Sequence, residues 1–292
     1  MISSAVWQGN LQLEFSYGQG MTHLSRSRIQ APLKVQRPFY PEGVEVCHTV
    51  ILHTAGGVVG GDRLSLDIHL QPQSHALITT AAAGKVYRSN GMRAHQTAQI
   101  RVAEGACLEW LPQETIVFNQ ANVYQELRVE LAANAMWLGW EITRLGRSAR
   151  GETFLGGEWR SRTEVWQGGR PLWIDPQWLQ GGTTMLTSPY GLAGCPVVGS
   201  FALVGRSVSP ELIEKLREAL ESNGRSVPHI PLPSPPSPYP SEIGITRLME
   251  GLLCRYRGFS TSEVRRWFIA IWHLLRLSFL NRPACKPRVW QL

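Results

Sequence analysis

The 292-residue sequence has none of the short spacings that mark a closed metal site: no Cys-x-x-Cys, no His-x-His, no His-Glu-x-x-His. His48 and His53 are five apart, and Cys47 adjoins His48, so in a strand neither pair converges on one face. The five cysteines (Cys47, Cys107, Cys195, Cys254, Cys285) are odd in number and widely spaced, which argues against a disulfide scaffold and for reduced thiols. No Gly-x-Ser-x-Gly elbow occurs. Cys195 sits in a glycine-rich turn, Tyr190–Pro196, but no helix start or paired histidine activates it, so it reads as a small buried residue.

There is no apolar run long enough to span a membrane. Met1–Gln12 lack a basic stretch followed by an apolar core, so a cytoplasmic location is expected. Only 17% of residues are charged. The net charge of +7 is spread along the chain with no polybasic tail, so an acidic protein partner explains it as well as nucleic acid does. Eleven tryptophans favour large contact surfaces, in a core or an interface.

What is present is mostly strand. Short segments rich in β-branched and aromatic residues, divided by Gly, Pro and Asn, recur through the first two-thirds; Val46–Leu52, Leu64–Leu70, His95–Val102 and Ala135–Thr143 are examples. No long helical period interrupts residues 1–205. The fold class is therefore mainly β, a sandwich, barrel or coil of sheets rather than βαβ units. The character changes after Arg206. Ser209-Pro210-Glu211 predicts a helix start, with Leu212, Leu216 and Leu220 on one face and Gly224 as its stop. A proline-rich stretch follows, densest at 231–240, which reads as a stiff exposed loop. A second helix starts at Ser260, with Glu263 completing a capping-box pattern and a broad apolar stripe from Val264 to Leu275. The tail from Pro283 is basic and reads as mobile. The organisation is one domain over 1–292: a β region, 1–206, then two helices flanking the proline-rich loop, 207–292.

The densest motif is His53-Thr-Ala-Gly-Gly-Val-Val-Gly-Gly-Asp62-Arg63. It is not a phosphate loop: the spacing is wrong, no Lys follows, and Leu64–Leu70 alternates as a strand instead of opening a helix. The glycines join strand to strand and deliver Asp62 and Arg63 to a turn. A second block, Thr79-Thr80-Ala-Ala-Ala-Gly84-Lys85-Val-Tyr87-Arg88-Ser89, reads as a tightly packed corner. Acidic residues are sparse in the β region. Asp62, Glu109, Glu114, Glu141 and Asp175 lie in apolar surroundings and must be paired or face water. Glu141 shares its strand face with Trp137 and Gly139. Two readings stand: structural salt bridges with nearby arginines, or the walls of a wet channel that passes a cation.

Together these blocks resemble the urease accessory protein UreD (UreH) family. Trp110-Leu-Pro112-Gln113-Glu114-Thr-Ile-Val-Phe118 and Gly139-Trp-Glu141-Ile with Leu145-Gly146-Arg147 are similar to its following blocks. The likeness covers residues 5–205 well and the helical end loosely; the loop at 231–240 departs from the pattern. The resemblance implies an elongated, β-helix-like stack of sheets with a pair of helices. It implies a non-enzymatic maturation factor that binds the helical partner UreF, recruits the GTPase UreG to apo-urease, and assists nickel delivery. No cofactor is expected to be permanently bound; nickel is in transit. By analogy Asp62 is a nickel-path candidate. Glu141, Asp175 and Glu114 are weaker ones resting on their polarity, with Thr80 and Ser89 adding neutral oxygens. Weak oxygen sites suit passage, where a His/Cys cage would trap the ion. Trp267 and Trp272 are the expected partner-interface residues of the second helix, part of their stripe meeting the core and part the helical partner. The competing reading is a basic, β-rich nucleic-acid-binding protein.

Overall fold

The computed structural model describes residues 6–147, 150–224 and 241–290. The proline-rich segment 231–240 lies outside them. In chain order the strands begin with β1 Gln8–Gly18, β2 Met21–Gln30, β3 Leu33–Val35, β4 Val46–His53, β5 Arg63–Leu70 and β6 His75–Thr80. They continue with β7 Gly84–Val86, β8 Ala94–Val102, β9 Cys107–Trp110, β10 Thr115–Val117, β11 Asn122–Leu131 and β12 Met136–Leu145. The last are β13 Glu158–Gln167, β14 Arg170–Gln180, β15 Val197–Val204, β16 Glu242–Leu248 and β17 Gly251–Gly258. The helices are α1 Thr183–Thr187, α2 Pro210–Gly224 and α3 Thr261–Leu280.

The middle of the chain winds as a solenoid of about four turns. Successive strands alternate between two sheets: β5, β8, β11 and β13 lie parallel in one, β4, β6, β9 and β12 parallel in the other. Parallel neighbours need a crossover, which in most folds is a helix. Here the crossover is a strand of the facing sheet, so short corners such as Gln71–Ser74 suffice and no helical period is needed. The short strands β7 and β10, with the bridge Val58–Val86, form a third narrow side. Antiparallel strands close the ends: β1–β2 and β13–β14 on one sheet, β3–β4 and the run β12–β15–β17–β16 on the other.

Strand alternation sorts side chains into two cores. On β12, Trp137 points between the sheets, while Leu138, Trp140 and Ile142 point to the outer face covered by α2 and α3. The α3 stripe of Val264, Trp267, Phe268, Ile271, Trp272 and Leu275 is buried there, as its spacing predicts. Trp140 lies 6.1 Å from the Phe268 ring and 5.3 Å from Trp290. Such aromatic pairs add about 0.5–1.5 kcal/mol each beyond burial.

Three expectations change. Ser260 caps α3 by accepting from Glu263 N–H, but the Glu263 carboxylate bonds Tyr256 and Ser241, so the box is half-made. The region after 206 also holds the hairpin β16–β17, which extends the sheet beside β15. The basic tail is docked: the Trp290 indole N–H donates to Thr79 Oγ1 at 2.9 Å.

Candidate functional site

Between the sheets the apolar core gives way to a cavity of about 420 Å³. Thr80, Gln96, Gln125, Glu126, Glu141, Ser161, Thr163 and Ser200 contribute polar lining from both sheets, beside Trp137 and Trp173. Gly139 keeps this space: a Cβ there would collide with the Trp137 indole.

Glu141 is the carboxylate that the β12 alternation carries into the cavity. Ser161 Oγ donates to its Oε2 at 2.7 Å, and Thr143 Oγ1 lies 3.4 Å from Oε1. Burial, with the negative charge of Asp175, pushes its pKa up to about 7 against these hydrogen bonds and the pull of Arg255.

Asp175, on β14, stands behind the wall. Arg255 Nη1 donates to Asp175 Oδ2 at 2.8 Å and to the cavity residue Ser200 at 2.6 Å. Thus Glu141 and Asp175 come together, one facing the cavity and the other ion-paired with Arg255 beside it.

Asp62 is buried, 1% exposed, and does not line the cavity. Trp7 N–H donates to its Oδ1 at 3.0 Å and Val59 N–H to its Oδ2 at 2.9 Å. Its oxygens therefore close the glycine turn and fix the entry of β1, in place of a bridge to Arg63. Gly57 allows the turn to pack: a Cβ there would meet the Tyr87 ring and Lys85 carbonyl. Beyond Asp62, His53 lines the cavity; burial lowers its pKa against the opposing field of Asp62.

The family profile described as UreD urease accessory protein matches residues 8–291. A protein of Nostoc punctiforme named "Urease accessory protein UreD" is 62% identical over 286 residues, covering 98% of this chain and 96% of the relative. Relatives of the same name are 54% identical in Acaryochloris marina (99% and 96% covered) and 50% in Thermosynechococcus vestitus (98% and 99%).

The chain belongs to the UreD family of urease accessory proteins.

The relatives are named accessory proteins, not enzymes, and the family places this chain in urease maturation. Among the described residues no helix is long and apolar enough to cross a membrane. Cys195 is 1% exposed, and burial raises its thiol pKa, the opposite of nucleophile activation.

Of the other expected site residues of this UreD-family chain, Glu114 and Ser89 lie apart from the cavity wall and Thr80 lines it. Glu114 pairs with Arg265 of α3, joining the third side to the helix. Ser89 Oγ donates to the Met92 carbonyl. Thr80 lines the cavity and accepts from Gln113 N–H at 2.9 Å. Trp267 and Trp272, expected at a partner interface, are turned to the chain's own core at 8% and 0% exposure. The reason is the apolar outer face of the sheet that holds β12, ten-stranded with β7 and β10 counted, which needs a cover.

Sequence reasoning does not single out Ser161 or Glu126, because nothing local distinguishes them from surface residues of a strand. It also misses a charged clamp under α3. Arg276, fully buried, bonds Glu42 at 2.6 Å and lies 3.3 Å from Glu109. Glu109 also accepts from Trp272 and pairs with His75 at 2.7 Å. Burial would raise the Glu109 carboxyl; His75, Arg276 and Trp272 outweigh it and hold it below its ordinary value.

Proposed function

We propose that this chain is a cytoplasmic scaffold that, with the helical partner UreF and the GTPase UreG, passes nickel to apo-urease through the cavity between its sheets. Nickel is cargo, held by no permanent site on the path. The observation that carries the reading is Glu141, a carboxylate that faces the cavity between the sheets beside Ser161, Thr163 and Ser200, with its pKa raised to about 7. A buried ionisable group without a full counter-charge costs stability, and such a cost is expected where function requires it. Ser161, Thr163 and Ser200 supply neutral oxygens nearby. Weak oxygen contacts let a borderline divalent ion enter and leave.

In this reading the remaining carboxylates do not line the path but hold the elements around it. Asp175 sets the field at Glu141, Asp62 closes the turn beside His53, and Glu114 ties the third side to α3. The nucleic-acid reading receives less support. Outer-face arginines are interleaved with acids: Arg101 with Asp67 at 2.8 Å, Arg160 with Glu158 at 2.7 Å, Arg128 with Glu164 at 3.1 Å.

The test is co-expression with urease structural and accessory subunits at limiting nickel. Omitting this chain should leave urease nickel-poor, and Glu141→Gln should lower nickel content while the complex still assembles. Urease fully loaded without the chain would sink the proposal.

A further inference from the structure

The outer face of the ten-stranded sheet, opposite the cavity, brings together a second set of ligand-type side chains. Glu42 lies in the loop before β4, His48 in β4, and Cys285 in the tail after α3. One ligand atom from each lies within 4.8 Å of the other two. His48 Nε2 is 2.6 Å from Glu42 Oε1. His48 is 0% exposed, yet its Nδ1 has no hydrogen-bond partner among the described residues. Nε2 is the ring nitrogen that faces Glu42 and so the one placed to ligate an ion there; the Nδ1 lone pair diverges from it. Glu42 and Cys285 are partly exposed, which leaves an entry path from solvent.

We propose that Glu42, His48 and Cys285 form a three-ligand site for a divalent transition ion of borderline softness, zinc being the type. Thiolate, imidazole and carboxylate are the donors such ions take, and three protein ligands leave a fourth position for water. Calcium and magnesium prefer all-oxygen sets. Carboxylate and thiolate carry two negative charges toward the dication; Arg276 beside Glu42 also faces Glu109, and Arg282 also faces Glu45. On binding, the Cys285 thiol gives its proton to solvent and a sulfur–metal bond forms, with no redox change. The ion joins β4 to the tail that carries Trp290, so it acts as a clasp at the end of α3. The sheet separates it from the cavity, which makes it independent of the nickel path.

The test uses the full-length chain, stripped with a chelator and titrated with cobalt(II), then zinc. A thiolate-to-cobalt charge-transfer band should saturate at a single equivalent and vanish when zinc displaces cobalt. Zinc should slow alkylation of Cys285, which peptide mass spectrometry distinguishes from the four buried thiols. Cys285→Ser, at a partly exposed position, should abolish the band. His48→Gln should weaken binding by more than the roughly 10- to 100-fold of a lost outer-shell contact. Glu141→Gln should leave both readouts unchanged. No band, a band that survives Cys285→Ser, or a Cys285 alkylated equally fast with zinc overturns the site.

Discussion

Replacing Glu141 with Gln tests the central cavity residue through stability alone. The amide keeps the shape and the hydrogen bond from Ser161 but removes the ionisation. In the folded chain the carboxyl titrates at about 7, against 4.5 for an unperturbed one. At roughly 1.4 kcal/mol for each tenfold change, ionising it in the fold costs about 3 kcal/mol. The sign follows from the raised value. Below the unfolded pKa the group is neutral in both states, and wild type and variant should be equally stable. As pH rises through the folded pKa, wild type loses the advantage of its neutral carboxyl and the variant does not. Glu141→Gln should therefore match wild type near pH 4 and exceed it by about 3 kcal/mol at pH 8. Denaturant unfolding followed by tryptophan fluorescence at several pH values measures this directly. A difference that is constant with pH, or a variant less stable at pH 8, would refute the assignment of a strained, ionisable cavity group. A variant that is more stable at pH 8 but fails to load urease would show the carboxylate is kept for function at a cost in stability.

Arg276→Met should destabilise the fold by about 3–5 kcal/mol, because Glu42 and Glu109 lose their buried cation; adding Glu109→Gln should recover part of this in the same unfolding assay, and a loss below about 1 kcal/mol would contradict the clamp. Asp62→Ala strands the N–H groups of Trp7 and Val59, at roughly 1–3 kcal/mol each. It should reduce soluble yield, with Asp62→Asn milder; an Asp62→Ala chain with unchanged melting temperature would return that residue to a purely functional role. Gly139→Ala forces the Trp137 ring to move, at roughly 1–3 kcal/mol, and should lower the melting temperature and alter tryptophan fluorescence together.

Much of the fold is written locally. Period-two alternation marks the strands, and on β12 it already groups Glu141 with Trp137 and Gly139. Ser209 and Ser260 announce the helix starts, and both caps form: Leu212 N–H donates to Ser209 Oγ at 3.2 Å, and Glu263 N–H to Ser260 Oγ at 3.3 Å. The hairpin β16–β17 was legible in principle, since Ile243 and Ile245 face one way, as do Leu252, Cys254 and Tyr256. The proline-rich stretch before it masks the signal.

The candidate site was legible only by half. Alternation says which residues share a face, but not whether that face meets a cavity, a helix or solvent. Glu109 and Glu141 both look like acids stranded in apolar strands. The winding of the chain sends one under α3 beside Arg276 and the other into the space between the sheets. Trp267 and Trp272 read equally well as core or interface until the outer face of the sheet claims them.

Residue order by itself determined strand, turn and cap, because those depend on neighbours a few positions apart. It also determined family membership, through the blocks around Asp62, Lys85 and Glu141. Tertiary structure alone decided which charges are compensated. Arg265 meets Glu114 across 151 positions and Arg276 meets Glu42 across 234. It likewise set Cys285 beside Glu42 and His48. A charge or a ligand acquires its role from what lies within a few ångströms, and a solenoid makes neighbours of residues that no local pattern connects.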